Sequence, residues 1–428
     1  ADFDTLNGAT ISANGVTGTI TTDVNNIFTN SLTTGGLYAT HGTFFALIGG
    51  DGFDPTTTIA FSTPVAAFWF EMTDAGDFLG QVTVKVNKTG GGSVWVTGTY
   101  DPKTNTAYWG TGNPGPWTPD LRQGDNLFAS STLALDVNTG EIKGYHQYAH
   151  NDSWDWDEVT PPMLFDATIK GKKTPVAVRA GRNGYMWVLE RTNTGALKYA
   201  NAWPYVGNNV FKSLDPKTGR PDYDMSKKPS MAQGAAFCPS LWGGKDWPPE
   251  AWNPKTKLFY IPANNHLCSE LPKADEITYK KGDLYIGYPI DGVLGSLRYE
   301  GGKKPGSIGE LQAWDLNTGK LAWVHKFDRP IWAPLLTTGG NLVFTGGTND
   351  RVFRAFDAST GKVLWQYNMP SGVTAVPSSY EVNGEQYIAV QAGWGIDAQR
   401  MQAGIDALDG NVTAVPQGGT IMVFKLEK

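Results

Sequence analysis

The segments LQAWDLNTGKLAWVHKF (residues 311–327) and FRAFDASTGKVLWQYNM (residues 353–369) are two copies of one pattern. Each has an apolar strand, an aspartate, a turn centred on N/S-T-G, a lysine, and a second strand carrying a tryptophan. The aspartates, Asp315 and Asp357, are 42 residues apart. Weaker copies are STLALDVNTGEIKGYHQ (131–147) and MWVLERTNTGALKYANA (186–202). The physics of the unit is local: the aspartate accepts from turn amides, the glycine takes the positive-φ position, and the tryptophan packs against a neighbouring sheet. A hairpin with a fixed aromatic recurring at this period predicts four-stranded propeller blades. A helical solenoid is the alternative, but the repeat carries no helical period. The 16 Trp, 17 Tyr and 19 Phe, the 52 Gly and 26 Pro, and a charged content of only 18% fit the same all-β class.

Residues 1–87 differ from the rest of the chain. They are rich in Thr, Gly, Asn and Asp and nearly free of Lys and Arg, and TTTIAFSTPVAAFWFEMTD (56–74) and GQVTVKVN (80–87) read as strands. A small antiparallel sandwich is expected there, resembling modules of exported bacterial surface proteins. A boundary is expected at KTGGGS (88–93), with propeller blades filling 88–428. A net charge of −6 gives no reason to expect nucleic acid or an anionic membrane as partner. No apolar run approaches the ~20 residues of a membrane span. The chain opens at Ala1 without a signal-like n- or h-region, which implies a signal peptide already removed or a fragment. Cys238 and Cys268 are either two thiols or one disulfide, and no C-x-x-C-H haem site occurs.

The stretch HNDSWDWDE (150–158) concentrates carboxylates and tryptophans. An extended backbone would turn Asp155 and Asp157 to one face. The alternative is a polar loop pinned by aromatic packing.

The unit A-x-D-x-x-T-G-K-x-x-W resembles the tryptophan-docking motif of quinoprotein alcohol dehydrogenases, which bind pyrroloquinoline quinone (PQQ) in an eight-bladed propeller. Several other stretches are similar to the methanol and ethanol dehydrogenase branch: GGGSVW (90–95), YDPKTNTAYWGTGNPGPW (100–117), RQGDNLFASSTLALD (122–136), HNDSWDWDE, AGRNGYMWVLER (180–191), CPSLWGGKDW (238–247) and YIAVQAGWG (387–395). The resemblance implies that Trp95 lies against the quinone and that Ser93 hydrogen-bonds it. It makes Asn113 an amide ligand of the active-site metal and Arg182 the cation beside the quinone carbonyl. It makes Asp155 the base that takes the substrate hydroxyl proton and a metal ligand. Asp157 resembles the extra metal carboxylate of lanthanide-using members, so the implied cofactors are PQQ with Ca2+ or a lanthanide(III) ion. Lys245, Asp246 and Trp394 match cofactor-lining positions. The family also bridges the interval between Cys238 and Cys268. Structural alternatives stand beside these roles: a docking tryptophan for Trp95, a turn residue for Ser93 or Asn113, a surface cation for Arg182.

The resemblance departs in residues 1–87, which show neither the family's early blades, its adjacent-cysteine pair, nor a match to its glutamate ligand. Glu71 stands in a different context. A propeller without those blades needs a partner chain, a rearranged closure or homodimerisation to cover its sheet faces. The implied activity is oxidation of a small primary alcohol to the aldehyde, in the periplasm or exported, with electrons passing to a separate c-type cytochrome. The competing reading is a non-catalytic exported propeller, a scaffold or binding protein derived from the family.

Overall fold

The computed structural model describes residues 92–277 and 285–425, together with the backbone of three strands, Thr10–Ala13, Val16–Thr22 and Thr57–Phe61. Those three form one antiparallel sheet. Thr57–Phe61 falls inside the strand expected at 56–74. The strand expected at 80–87, and Glu71, lie outside the described residues.

From Thr99 onward the chain folds as β-propeller blades, each an antiparallel meander of strands taken in sequence order, with an insertion inside the third. The first blade comprises Thr99–Asp101, Thr106–Gly110, Ser131–Asp136 and Ile142–Gln147. The second comprises Met163–Ile169, Lys172–Ala180, Tyr185–Arg191 and Leu197–Pro204. The third is Ala251–Asn253, Leu258–Asn264, Gly309–Asp315 and Lys320–Phe327. The fourth is Leu336–Thr337, Leu342–Thr345, Val352–Asp357 and Val363–Asn368. A fifth sheet has three described strands, Ser378–Val382, Glu385–Ala392 and Thr420–Lys425, with the helix Ile396–Asp409 inserted before the last. Among the described residues no helix is long and apolar enough to cross a membrane.

The four sequence repeats are the outermost hairpins of the first four blades. Each hairpin carries a register shift shortly before its turn, after Ala134, Val188, Ala313 and Ala355. Asp136, Asp315 and Asp357 each accept a hydrogen bond at 2.8–2.9 Å from the amide two residues on. The tryptophan of one blade then seats on the turn glycine of the next. A Cβ on Gly319 would lie 2.1 Å from Trp203, and one on Gly361 2.4 Å from Trp323. The Trp323 indole also donates to the Ala358 carbonyl at 3.0 Å. Blade-to-blade packing is therefore written into the same few residues that form the turn.

A separate small sheet combines Ala235–Phe237, which precedes the third blade, with Leu267–Leu271 and Leu297–Tyr299, which are inserted between that blade's second and third strands. Phe237 pairs with Ser269, so the next residues along, Cys238 and Cys268, face one another and are disulfide-bonded. The open alternative of two free thiols is thereby settled. Closing a loop of 30 residues stabilises the chain by about 3–4 kcal/mol in the chain-entropy picture. This sheet supports the loop 239–250, which returns to the site.

Gly319 has φ of 66° as well as the tryptophan above it. Gly319→Ala should cost about 2–4 kcal/mol, from left-handed backbone strain plus displacement of Trp203. Gly306→Ala, with open space around it, should leave the urea midpoint unchanged. Equal midpoints for the two variants would contradict the docking account.

Candidate active site

The loop 150–158 is held from beneath by its aromatic residues. Trp154 and Trp156 are fully buried and stacked with ring centroids 5.0 Å apart. Their indole N–H groups donate to the carbonyls of Lys227 at 2.7 Å and Ser240 at 3.1 Å. Burying two such rings contributes roughly 4–6 kcal/mol each before entropy is counted. Asp152 closes the loop internally: its Oδ1 accepts the amides of both tryptophans at 3.2 Å. Asp152 is thus the loop's internal cap.

The backbone between the tryptophans is not extended. Asp155 has φ of 62°, and the amide of Asp157 donates back to the Asp155 carbonyl at 3.1 Å. This corrects the expected geometry but keeps its consequence. The tight turn drives both carboxylates to one side, where Asp155 Oδ2 lies 3.0 Å and Asp157 Oδ2 3.3 Å from the Arg182 guanidinium. Asp246 Oδ2 joins from the 239–250 loop at 3.5 Å. Arg182 is itself anchored through Nε to the Leu241 carbonyl at 2.8 Å.

The GTGNPG loop forms the opposite wall. The Asn113 backbone N–H donates to Asp157 Oδ1 at 2.5 Å. Gly112 has no side chain for a reason: a Cβ there would lie 2.5 Å from both Asp157 Oδ1 and Ser93 Oγ. The Gly112 amide also donates to the Ser93 carbonyl at 2.7 Å. Trp95 is half-buried and its indole N–H is directed to Asp157. Of the residues singled out from sequence, Ser93, Trp95, Asn113, Asp155, Asp157, Arg182 and Asp246 thus converge. Lys245 turns inward instead: its ammonium pairs with Glu250 at 3.2 Å and donates to Thr160 Oγ1 and the Asp246 carbonyl. Trp394 is buried among Trp332, Ala398 and Met401, just ahead of the helix Ile396–Asp409.

Three carboxylates around one guanidinium are an unbalanced charge set. Burial pushes Asp155 well above the usual carboxylate range; Arg182 pulls it down, while Asp157, Asp152 and Asp246 push it further up. Asp157 is raised by burial against Arg182, the Asn113 amide and Trp95. Burial raises Asp246 to about 7 despite Arg182. Burial opposes the Arg182 charge, yet its three aspartates hold it firmly protonated. Asp397, in the first turn of the Ile396–Asp409 helix, adds a further negative field and is raised by burial. Sequence reasoning missed Asp397, although it follows the AGWG stretch by two residues. It also missed the buried pairs Glu158–Arg179 at 2.6 Å and Lys245–Glu250.

The polar atoms left over fit an absent ligand. Asp246 Oδ1 and the indole N–H groups of Trp332 and Trp394 are buried without partners among the described residues. Oxygen donors with excess negative charge suit a hard cation such as Ca2+ or a trivalent ion. Among the described residues no three His, Cys, Asp or Glu side chains form a metal cluster by themselves. The oxygen donors on hand are the carboxylates of Asp155 and Asp157, with Asn113 on the adjoining loop.

The chain's relatives bear on that chemistry. A family model described as "Glucose/ethanol/alcohol dehydrogenase, beta-propeller domain", of the PQQ type, matches residues 68–198 and 326–388. Quinoprotein ethanol dehydrogenase of Pseudomonas putida is 38% identical over 354 residues, covering 79% of this chain and 54% of that protein. The chain belongs to the quinoprotein alcohol dehydrogenase family. The lanthanide-dependent methanol dehydrogenase of Methylacidiphilum fumariolicum is 36% identical, covering 79% of this chain and 57% of its own. The solved structure of a europium-containing methanol dehydrogenase superposes with a TM-score of 0.70 at 35% identity, covering 79% of this chain and 60% of that one. The chain spans about half the length of the curated relatives it matches.

With its folded value near 7 and an unfolded value near 4, Asp246 holds a proton in the native state that the unfolded chain releases. Its contribution to stability is complete below about pH 4 and is lost as pH rises through about 7. Asp246→Asn should therefore flatten the fall in Tm between those values. Superimposable Tm–pH profiles for variant and parent would contradict this assignment.

Proposed function

We propose that this quinoprotein carries the base-and-metal side of a PQQ-dependent site that oxidises a primary alcohol to an aldehyde. The observation that carries this reading is the convergence of Asp155 and Asp157 on Arg182, with Asn113 and Trp95 on the far side of Asp157. When bound, PQQ supplies the two-electron acceptor, and Ca2+ or a lanthanide(III) ion supplies Lewis acidity.

The chain's own groups then have distinct tasks. Asp155 accepts the substrate hydroxyl proton on its carboxylate, which the turn at φ 62° aims out of the loop. Burial disfavours its charged form, so Arg182 at 3.0 Å is needed to keep a fraction ionised. Arg182 stabilises negative charge developing beside it. Asp157, Asn113 and Asp155 would hold the cation, and Asp157 supplies the additional anionic oxygen suited to a trivalent ion. Its presence, and the lanthanide-using relatives, favour the lanthanide over calcium. Trp95 and Ser93 would line the flat cofactor, with Asp246 and Trp394 at its edge. Electrons then leave to a separate c-type cytochrome, in the periplasm or outside the cell.

The test supplies PQQ with Ca2+ or with La3+ and follows bound cofactor and dye-linked alcohol oxidation. Bound PQQ and turnover with at least one metal are expected; no binding with either overturns the catalytic reading in favour of a non-catalytic scaffold. Asp155→Asn should reduce turnover at least ~10³-fold, on the scale of losing general-base catalysis, with Tm unchanged. Asp157→Ala should lose the lanthanide-supported rate selectively. Equal loss with both metals would count against its assignment.

A further inference from the structure

Glu158 directly follows the two site aspartates but faces the other way. Its side chain is fully buried, with the carboxylate 2.6 Å from the Arg179 guanidinium. The same carboxylate accepts the backbone amides of Arg182 at 3.3 Å and Asn183 at 3.4 Å. Arg179 in turn donates to the Glu158 carbonyl at 2.6 Å and lies over the Tyr148 ring at 4.7 Å. On the backbone side, the Glu158 amide donates to the Thr111 carbonyl at 3.1 Å, in a bridge to the loop that carries Asn113. One residue therefore ties together the 111–113 loop, the 155–157 turn and the 181–183 turn.

Gly181 shows that the carboxylate is built into the turn. A Cβ at this position would lie 2.8 Å from Asn183 Oδ1, 3.0 Å from Glu158 Oε2 and 3.1 Å from Oε1, so both side chains fill this space. The missing side chain leaves the volume that the Glu158 carboxylate fills. A second buried carboxylate, Glu250, takes the neighbouring amide of Ala180 at 2.6 Å. The amide contacts of Glu158 and Glu250 fall on the backbone of Ala180, Arg182 and Asn183, and none reaches the Arg182 guanidinium.

We propose that Glu158 is a positioning residue: its buried carboxylate clamps the 181–183 turn and so sets the aim of the Arg182 guanidinium at Asp155 and Asp157. The role rests on the PQQ-site reading for its functional consequence, but not for its geometry. Charge-assisted acceptance of two amides fixes a turn more firmly than a neutral group does, because an amide side chain also presents an N–H where only acceptors fit. A guanidinium displaced by about 1 Å loses much of its orientation effect on a reacting group.

Three variants test this. Glu158→Gln removes the charge at constant shape. Gly181→Asp combined with Glu158→Gly restores a carboxylate to the same volume from the turn itself, with the Asn183 side-chain oxygen giving way by a few tenths of an ångström. Glu158→Gly alone is the reference. In cofactor-free protein, hydrogen–deuterium exchange of the 181–183 amides should quicken at least tenfold in Glu158→Gln and return to within about threefold of the parent in the double variant. With PQQ and La3+, Glu158→Gln should weaken PQQ binding and lower kcat at least tenfold with alcohol KM little changed, and the double variant should recover both. Unchanged exchange in Glu158→Gln overturns the clamp. Faster exchange with unchanged PQQ affinity and kcat overturns the positioning role. Recovery of Tm in the double variant without recovery of PQQ affinity or kcat makes Glu158 a packing element only, and also overturns it. Should the parent bind no PQQ, the exchange series still decides the clamp, while the catalytic reading fails separately.

Discussion

The guanidinium of Arg182 lies within 3.5 Å of three carboxylates, Asp155, Asp157 and Asp246, in a region almost closed to water. Removing charge from water is costly, and one cation offsets that cost for one partner far better than for three. The strain appears as carboxylates whose protons are held well above their usual range. Such a cluster persists only where the surrounding structure over-determines it. It is therefore the constraint to which the neighbouring loops, the tryptophan anchors and the buried clamp residues are fitted.

The scaffold makes that over-determination possible by dividing the work. Blade hairpins fix themselves locally, through an aspartate cap, a glycine turn and a tryptophan from the preceding blade. The connections between strands are then free to carry chemistry. The second blade presents Arg182 on the short turn between its middle strands, Lys172–Ala180 and Tyr185–Arg191. The first and second blades are joined by the loop of Trp154, Asp155, Trp156 and Asp157, and the disulfide-stapled sheet underlies Asp246. Three segments far apart in sequence meet because each is held by contacts of its own.

This division explains what could be read in advance. The blade hairpins were legible because all their determinants lie within about a dozen residues of one another, as at Asp315 and Gly319. The docking partner was legible in kind, a tryptophan between sheets, although which turn received it was not. Asp155, Asp157, Asn113 and Arg182 were found through short motifs whose resemblance to a family is specific. That Asp155 and Asp157 share one face was expected, but from an extended backbone rather than from the left-handed turn at Asp155, and their shared contact with Arg182 was not foreseen. Asp397 was invisible because its interaction with Arg182 joins residues more than two hundred positions apart and no local signal marks it. Glu158 was overlooked for the opposite reason: it adjoins the site in sequence, yet its side chain points away from it. Lys245 shows the limit of a motif match, since its ammonium serves a buried pair with Glu250.

The central claim is that Asp155 and Asp157 are metal carboxylates for which Arg182 is an incomplete substitute. Anomalous scattering from a crystal grown with PQQ and Eu3+ tests it most directly. The account predicts one strong peak about 2.3–2.6 Å from oxygens of both aspartates, with the Asn113 side-chain oxygen in the same shell. A europium-free site, with Arg182 still bridging Asp155 and Asp157, would contradict it.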